Sequence, residues 1–478
     1  MCLAALNLIR LSFAGSFELV PQEAYYWIYS RHLALSYFDH PPMIAYLIRL
    51  SSLFWGHRPM CLRFAAWITS LLFQLAALAF ARPFLLARRD ALFWLVLPAT
   101  GMVSIVSLIA TPDVPLLLFW SLSLCLIYRA VLLGRVTDWL LSGLTMGLAF
   151  DSKYTGIFLQ FGMVLFLLAS PKYRGLLKTR RPYLSLLVAQ LTMAPVYLWN
   201  AQHGFSSFLF QTRERASASH GLQLKYLLGL IGSQSALLSV PLIIALAGVA
   251  ILLVRDWKKW TGLDRTRDLF LICFFLPLFL TFSGLSLVLL VKPNWLMPSY
   301  ISGTVLAVRL FRPHWLKWHF ASALLVHALA AIELIFYPVA LNSDDTWFGW
   351  KALANQVELR MSRHVGTFVF SADGYKTTAE LMFYTALPVY GSNVIGERAL
   401  QFDYLDDDLV LWAGHDALFL DSAPNDLSAR KSQQFPARLQ GYFRTIEEEE
   451  PILIRSGHRL VRKFYVYACR DYRPPARR

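Results

Sequence analysis

Residues 17–55 read FELVPQEAYYWIYSRHLALSYFDHPPMIAYLIRLSSLFW, and this segment separates the first two long apolar runs of the chain. It is much longer than a connection between neighbouring helices needs. It is also rich in Tyr, Trp and Phe, as helices at a membrane surface are. Because proline is tolerated in the first turn of a helix, Pro21 and the pair Pro41-Pro42 each mark a helix start. The segment therefore predicts two helices along the membrane surface, over residues 22–35 and 41–55.

The composition predicts an integral membrane protein. Hydrophobic residues make up 56% of the chain and charged residues 16%, and the mean hydropathy is +0.47. Soluble domains usually contain about 25% charged residues. Apolar runs long enough to span a bilayer recur up to residue 338, with residues 17–59 as the first outside loop. We predict eleven spans, near residues 2–16, 60–81, 91–110, 113–133, 138–150, 154–169, 183–199, 226–254, 269–290, 294–311 and 319–338.

The net charge of +15 belongs to the membrane part. Residues 1–338 carry 28 Lys and Arg against 12 Asp and Glu, whereas residues 339–478 carry 17 against 18. This distribution indicates the positive-inside bias of a membrane protein and excludes a nucleic-acid surface as the source of the charge. The connections assigned to the cytoplasm carry 18 Lys and Arg, and the opposite ones about eight. With eleven spans, the N-terminus is then predicted inside and the C-terminal part outside.

Residues 339–478 are predicted to form a soluble α/β domain outside the cytoplasm, because acidic residues return there and apolar runs shorten to strand length. The predicted strands are 366–371, 417–421, 451–457 and 463–469, and the predicted helices are 349–361 and 375–385. The four acids Glu447–Glu450 are expected to form a solvated turn. The five cysteines of the chain show no CxxC spacing, which argues against a thiolate metal site.

Charged residues at the ends of spans are candidates for function, because a charge at membrane depth is costly. By the predicted topology, all but the last member of the set lie near the outer boundary, which suggests one polar cavity opening outward. The set consists of Glu23, Asp39, His40, Asp113, Asp151, Lys153, Lys292 and Glu333.

The candidates in the first loop each have a structural alternative. Glu23 lies in the first turn of a predicted helix, where the helix dipole favours the ionised form that a general base needs. It could equally be a helix-start acid that faces water. Asp39 and His40 could cap the second surface helix, or they could bind a phosphate or a divalent metal.

The later candidates have alternatives as well. Asp113 could be an N-cap, and Asp151 could simply pair with Lys153. Lys292 could extend to the outer interface, or it could bind an anionic headgroup. Arg213, in the second outside loop, could hold a phosphate or lie at the interface.

The stretch VPQEAYYWIYSRHLALSYFDHPP (residues 20–42) resembles the first outside loop of bacterial polyprenyl-phosphate-sugar glycosyltransferases. These enzymes are relatives of the protein O-mannosyltransferases and of the aminoarabinose transferase of lipid A, and all have the GT-C fold. TPDVPLLLFW, SKYTG and KPNWLMPSY are similar to later motifs of the family, in the same order. The resemblance covers roughly residues 15–310.

The resemblance implies a role for each matching residue. The family's acidic pair falls on Gln22 and Glu23, so a glutamine replaces the usual aspartate, while the second acid of the loop is present as Asp39. Gln22 cannot accept a proton at neutral pH, so the resemblance leaves Glu23 or Asp39 as the base. Asp39 is expected to be the base because it stands in the intact motif, with Glu23 positioning the acceptor or orienting the loop. His40 follows Asp39 where a phosphate-contacting residue is common.

The remaining roles concern the lipid phosphate and the support of the site. Lys153 and Lys292 match positions suited to the donor phosphate, and Arg213 is grouped with them. Asp113 matches the acid of the TPD motif and is expected, with Gln22 and Tyr26, to support the site. Some relatives bind a divalent metal near the second acid, but no metal ligand is assigned here.

The implied function is transfer of a sugar from an undecaprenyl- or dolichyl-type phosphate to an acceptor outside the cytoplasm, which could be lipid A, a glycan or a protein. The transfer is expected to be inverting, and the expected location is the bacterial inner membrane. No nucleic-acid partner is expected. The alternative is a transporter or flippase of a lipid-linked sugar, which predicts inverted repeats and broken helices at the midplane. Neither is visible in the sequence.

Overall fold

Helices occupy every one of the predicted spans in the structure, which is a computed structural model. It describes residues 2–475 except 86, 215–220, 256–264, 340, 342, 363–365, 406–408, 427, 429 and 433–435. In chain order, the main helices of the apolar part are Cys2–Phe13, Pro59–Ala81, Ala87–Val96, Gly101–Leu108, Asp113–Leu133, Val136–Ser152, Phe158–Ala169, Arg181–Gln202, Leu224–Leu238, Val240–Arg255, Arg265–Leu285, Ser299–Leu310 and Trp315–Phe336.

The predicted class, a polytopic helical membrane protein, is confirmed, but the number of spans is not. Within the described residues, five helices are long and apolar enough to cross a membrane, and a sixth span is added if one bent pair is counted as one. Several of the other predicted spans are shorter helices, such as Cys2–Phe13 with 12 residues and Val136–Ser152 with 17. A count of eleven therefore stays a prediction.

One predicted span, residues 226–254, is sharply bent, as in a broken span or a re-entrant loop. Leu224–Leu238 and the helix that begins at Val240 are bent by 117° at Ser239, which has a φ of +91°. Pro241 explains the break, because proline lacks an N–H and is accommodated in the first turn of a helix but not in its interior. The sequence analysis treated residues 226–254 as one continuous span and did not predict this bend.

The chain divides into two compact units. The first, called the helical unit, contains Met1–Ala14, Ala34–Leu47 and Arg63–Ala330. The second, called the sheet unit, contains Gly15–Leu33, Ile48–Leu62 and Ala331–Arg478. The predicted domain boundary between residues 338 and 339 stays a prediction.

The sheet unit contains six strands: β1 (Phe368–Ser371), β2 (Val389–Tyr390), β3 (Ala417–Ser422), β4 (Phe443–Glu448), β5 (Ile452–Ser456) and β6 (Arg459–Tyr472). The strand order is β2-β1-β3-β6-β4, and β5 also pairs with β6. β1 runs parallel to β2 and β3, while β6 is antiparallel to its partners. The four predicted strands and both predicted helices, observed as Trp350–Met361 and Lys376–Tyr384, are confirmed.

Both faces of this sheet are covered, as the alternation of side chains along its strands requires. Val369 and Leu418 point into a core with the helix Trp350–Met361, and Phe370 and Phe419 point into a second core. The predicted solvated turn at residues 447–450 was wrong, because the first two of these glutamates belong to β4 and pair with β6.

The two helices of the first outside loop are present, as Pro21–Arg31 and Met43–Trp55. Pro21–Arg31 belongs to the sheet unit and packs there on Lys376–Tyr384. The Tyr25 ring stacks on Tyr375 with 4.6 Å between centroids, and the Tyr25 hydroxyl accepts a hydrogen bond from the Gln401 N–H at 3.0 Å. This helix is therefore held by residues far away in the sequence.

A reporter fused after Arg478 tests the predicted topology. We expect a reporter that is active only outside the cytoplasm to be active at this position, because the basic connections face the cytoplasm. The paired measurement uses a reporter that is active only in the cytoplasm. Activity of that second reporter would show that the number of spans is even.

Candidate functional site

The loop that carries Asp39 and His40 is anchored within the helical unit. The Gln211 side-chain amide donates a hydrogen bond to the main-chain oxygen of Asp39 at 2.5 Å, and the Phe38 ring lies 4.8 Å from that of Phe210. Tyr37 N–H donates to the His40 oxygen at 3.2 Å, which closes the turn. The Asp39 and His40 side chains are half-buried. The backbone of this loop is thus fixed independently of the Asp39 carboxylate.

The segment after the helix Val136–Ser152 contacts this loop region. The Tyr154 hydroxyl lies at hydrogen-bond distance, 2.5 Å, from the Ser207 hydroxyl. The Asp39 carboxylate is close enough to Tyr154 for an electrostatic interaction. Tyr154 belongs to the quoted SKYTG motif, although sequence reasoning did not select it. The first-loop acid and the SKYTG segment therefore lie near each other.

Three of the quoted motifs meet in one hydrogen-bonded network. Asp113 begins the helix Asp113–Leu133, and its Oδ1 accepts a hydrogen bond from Lys153 Nζ at 2.7 Å. Its Oδ2 accepts a hydrogen bond from Asn294 Nδ2 at 2.6 Å. Asp113 is 3% exposed and Lys153 is 7% exposed, so this ion pair is buried.

This network corrects one alternative of the sequence analysis. Lys153 pairs with Asp113 and not with Asp151, because its extended backbone ends the helix and separates it from the preceding turn. Asn294 was not selected from the sequence, although it lies in the KPNW motif beside Lys292. The network joins the TPD, SKYTG and KPNW motifs, which are far apart in the chain.

The other predicted phosphate ligands differ in their surroundings. Lys292 is exposed and precedes the short helix Pro293–Leu296. His40 is half-buried beside Asp39. The side chain of Arg213 lies outside the described residues. Their role towards a phosphate stays a prediction.

Glu23 lies in the sheet unit with Gln22 and Tyr26. Its side chain is fully buried, and its Oε2 accepts a hydrogen bond from the Val20 N–H at 3.2 Å. Its own N–H donates to the Val20 oxygen at 2.8 Å, so the residue closes the start of the helix. The alternative that Glu23 faces water was wrong. Tyr26 is buried, and its ring lies edge-on to Tyr29.

The described residues do not fit a protein-built metal site. Asp39 and His40 offer two ligand types that could bind a cation. However, no group of three or more His, Cys, Asp or Glu side chains in the described part of the chain is arranged to hold a metal ion. We therefore assign no step of the reaction to a metal.

Comparisons with known proteins relate the chain to membrane glycosyltransferases. Residues 39–199 match the family described as dolichyl-phosphate-mannose-protein mannosyltransferase, and this range includes Asp39, Asp113 and Lys153. The chain is 26% identical over 365 residues to the lipid A galacturonosyltransferase RgtD of Rhizobium johnstonii. That alignment covers 75% of this chain and 72% of RgtD.

Solved structures show the same fold. ArnT from Cupriavidus metallidurans bound to undecaprenyl phosphate matches with a TM-score of 0.62 at 17% identity. The apo structure of the same protein matches with a TM-score of 0.61 at 16% identity. Each match covers 98% of this chain and 97% of ArnT. The fold implied by the sequence resemblance is confirmed.

Proposed function

We propose that this chain, a membrane glycosyltransferase of the GT-C fold class that uses a lipid-linked sugar, transfers one sugar from a polyprenyl phosphate to a lipid A-type acceptor. The reaction takes place on the outer side of the bacterial inner membrane. We infer the acceptor class from the similar protein RgtD, a lipid A galacturonosyltransferase. We infer the polyprenyl-phosphate donor from the undecaprenyl phosphate bound in the ArnT structure.

The observation that carries the proposal is the placement of two adjacent residues. Lys153 binds Asp113 in the buried network, and Tyr154 lies next to the Asp39 loop. One short segment therefore links the first-loop acid to the motif residues suited to a lipid phosphate. A carboxylate and a cationic group that are held near each other are what transfer from a sugar phosphate requires.

In the proposed mechanism, the Asp39 carboxylate takes the proton of an acceptor hydroxyl. The hydroxyl oxygen then forms a bond to the anomeric carbon, while the bond from that carbon to the phosphate oxygen breaks and its electrons stay on the phosphate. A single displacement of this kind inverts the anomeric configuration. Lys153, Lys292 and His40 stabilise the leaving phosphate. The Lys153 ammonium group has three N–H donors. Among the described residues, Asp113 accepts a hydrogen bond from one of them.

Lys292→Met is expected to weaken donor binding and leave the fold unchanged. The substitution keeps the apolar stem and removes the charge, and the side chain is exposed, so little packing is lost. The Kd for a polyprenyl-phosphate sugar should rise by about tenfold, as for loss of one charged contact. The check is donor titration alongside the melting temperature of each protein. An unchanged Kd would make Lys292 an interfacial residue with no role in donor binding.

The proposed function is tested with purified protein, radiolabelled polyprenyl-phosphate sugars and lipid A. We expect the label to appear on lipid A. The alternative function is transport of the lipid-linked sugar, which would use broken helices at the membrane midplane. Proteoliposomes loaded with the same donor separate the two functions. Movement of intact donor between leaflets, without transfer to any acceptor, would overturn the proposal.

A further inference from the structure

Gln234 is a buried polar side chain that the proposed reaction does not use. It lies on the helix Leu224–Leu238, and the residue is 4% exposed. Its Nε2 donates a hydrogen bond to the main-chain oxygen of Pro293 at 3.2 Å, and its Oε1 accepts one from the Tyr300 hydroxyl at 2.8 Å. Burying an amide is costly unless its oxygen and its nitrogen are both hydrogen-bonded, and here both are. The sequence analysis did not select this residue.

The two partners fix the orientation of the Gln234 amide. A carbonyl oxygen only accepts hydrogen bonds, so the amide nitrogen faces Pro293. The amide oxygen then faces Tyr300, whose hydroxyl has one proton to donate. Tyr300 is fully buried on the helix Ser299–Leu310, so water does not compete for this proton. Gln234 therefore joins its own helix to that helix and to the short helix Pro293–Leu296.

The helix that carries Gln234 is held at both ends. Just before its first residue, the Gln223 N–H donates a hydrogen bond to the Leu287 oxygen at 2.7 Å. Just after its last residue, the Ser239 hydroxyl lies 2.7 Å from Nδ1 of the buried His319. A side chain positions its neighbour accurately when it stands on an element that is itself fixed. Gln234 meets this condition.

The segment that begins at Lys292 receives two such contacts. Gln234 holds the Pro293 oxygen, and the Asn294 side chain donates to Asp113 Oδ2 at 2.6 Å. Proline fixes φ and has no N–H, so the backbone at Pro293 has little freedom once its oxygen is bound. Lys292 immediately precedes these two residues in the chain. The point from which its side chain starts is therefore set by the contacts of Gln234 and Asp113.

We propose that Gln234 is a positioning residue that holds Lys292 where its ammonium group binds the phosphate of the lipid donor. The inference rests on the proposed function, because it deepens the role of Lys292 at the same site. Gln234 acts through the backbone at Pro293 and is not itself a phosphate ligand. Without it, the Lys292 ammonium group samples more positions, and the donor loses affinity because the site is no longer preorganised.

The test is a double-mutant cycle in the binding of undecaprenyl phosphate to the purified protein. Gln234→Met keeps the length and the apolar part of the side chain and removes both hydrogen bonds. The Kd should rise by about threefold to tenfold. In the Lys292→Met background, the same substitution should change the Kd by less than about twofold, because the charge that Gln234 positions is already absent.

Gln74→Met is the matched control. Gln74 is also a buried glutamine of the helical unit, and its amide exchanges two hydrogen bonds with the Asn7 side chain, at 3.0 and 3.3 Å. Its substitution should lower the melting temperature and leave the Kd unchanged. Tyr300→Phe is a second, milder variant. It removes one O–H and frees the Gln234 oxygen, so the Kd should rise by about twofold to threefold.

Each outcome decides the inference. An unchanged Kd in Gln234→Met, or in Tyr300→Phe where the first variant does not fold, would overturn it. An equal rise in Gln74→Met would overturn it as well, because any loosening of the helices would then weaken binding. The full rise in the Lys292→Met background would show that Gln234 does not act through Lys292.

The inference and the proposed function fail separately. If the cycle gives the expected Kd values but no sugar reaches lipid A, the proposed function fails while the inference stands. If sugar is transferred but Gln234→Met binds undecaprenyl phosphate like the wild-type protein, the inference fails alone.

Discussion

Asp39→Asn is expected to lower sugar transfer by at least about 100-fold, since a positioned general base contributes roughly this factor or more. Asparagine has nearly the same shape as aspartate but cannot take the acceptor proton. The loop should remain in place, because Gln211 binds the main-chain oxygen of Asp39 and not its carboxylate. The measurement is the turnover number at saturating donor and acceptor, together with the melting temperature.

Substitutions at the start of the first surface helix provide the comparison. Glu23→Gln should also reduce transfer, but less than Asp39→Asn, because the buried Glu23 carboxylate accepts a hydrogen bond from the Val20 N–H and orients the start of the first loop. Gln22→Glu should be tolerated. If Asp39→Asn keeps near wild-type turnover, the base is not Asp39 and the proposed mechanism is wrong.

Asp113→Ala is expected to destabilise the protein by about 3–5 kcal/mol, because it leaves the buried Lys153 ammonium without its counter-charge. Asn294 loses its acceptor in the same variant. The double variant Asp113→Leu with Lys153→Met should recover much of the stability, since no unpaired charge remains. The measurement is the free energy of unfolding by a chemical denaturant in detergent, for the wild-type protein, Asp113→Ala and the double variant. The double variant should fold and still lack transfer activity.

Asp138→Ala is the control for this effect. Asp138 is also a buried aspartate in an ion pair, but its partner Arg129 has a side chain that is 54% exposed. Water can solvate that arginine after the substitution, so we expect the free energy of unfolding to fall by only about 1 kcal/mol. Equal losses of unfolding free energy in Asp113→Ala and Asp138→Ala would contradict the stabilising role assigned to the buried ion pair of Asp113 and Lys153. A fully active double variant would show that the pair has only a structural role.

Local patterns in the sequence were sufficient to predict many elements. Proline marked the starts of the helices Pro21–Arg31 and Met43–Trp55. Short apolar runs located the central strands of the sheet, because a buried strand must contain consecutive apolar residues. β4 was missed because its sequence FRTIEE carries charges, and its pairing with β6 is set by register and not by composition.

The parts that could not be predicted depend on distant residues. Pro21–Arg31 reads as a surface helix, yet Tyr25 packs on Tyr375 and binds Gln401, and nothing local indicates this contact. Within the site, the motifs indicated Asp113 and Lys153, but only the fold shows that Lys153 binds Asp113 and not Asp151. Gln211, which anchors the Asp39 loop, has no sequence signal at all.

The most direct test of the glycosyltransferase account is mass spectrometry of both products from one reaction. Purified protein is incubated with a polyprenyl-phosphate sugar and lipid A, and the freed polyprenyl phosphate and the sugar-modified lipid A are quantified together. The account predicts that one molecule of polyprenyl phosphate is released for each sugar added to lipid A. Recovery of intact donor with unmodified lipid A, for every donor offered, would contradict it.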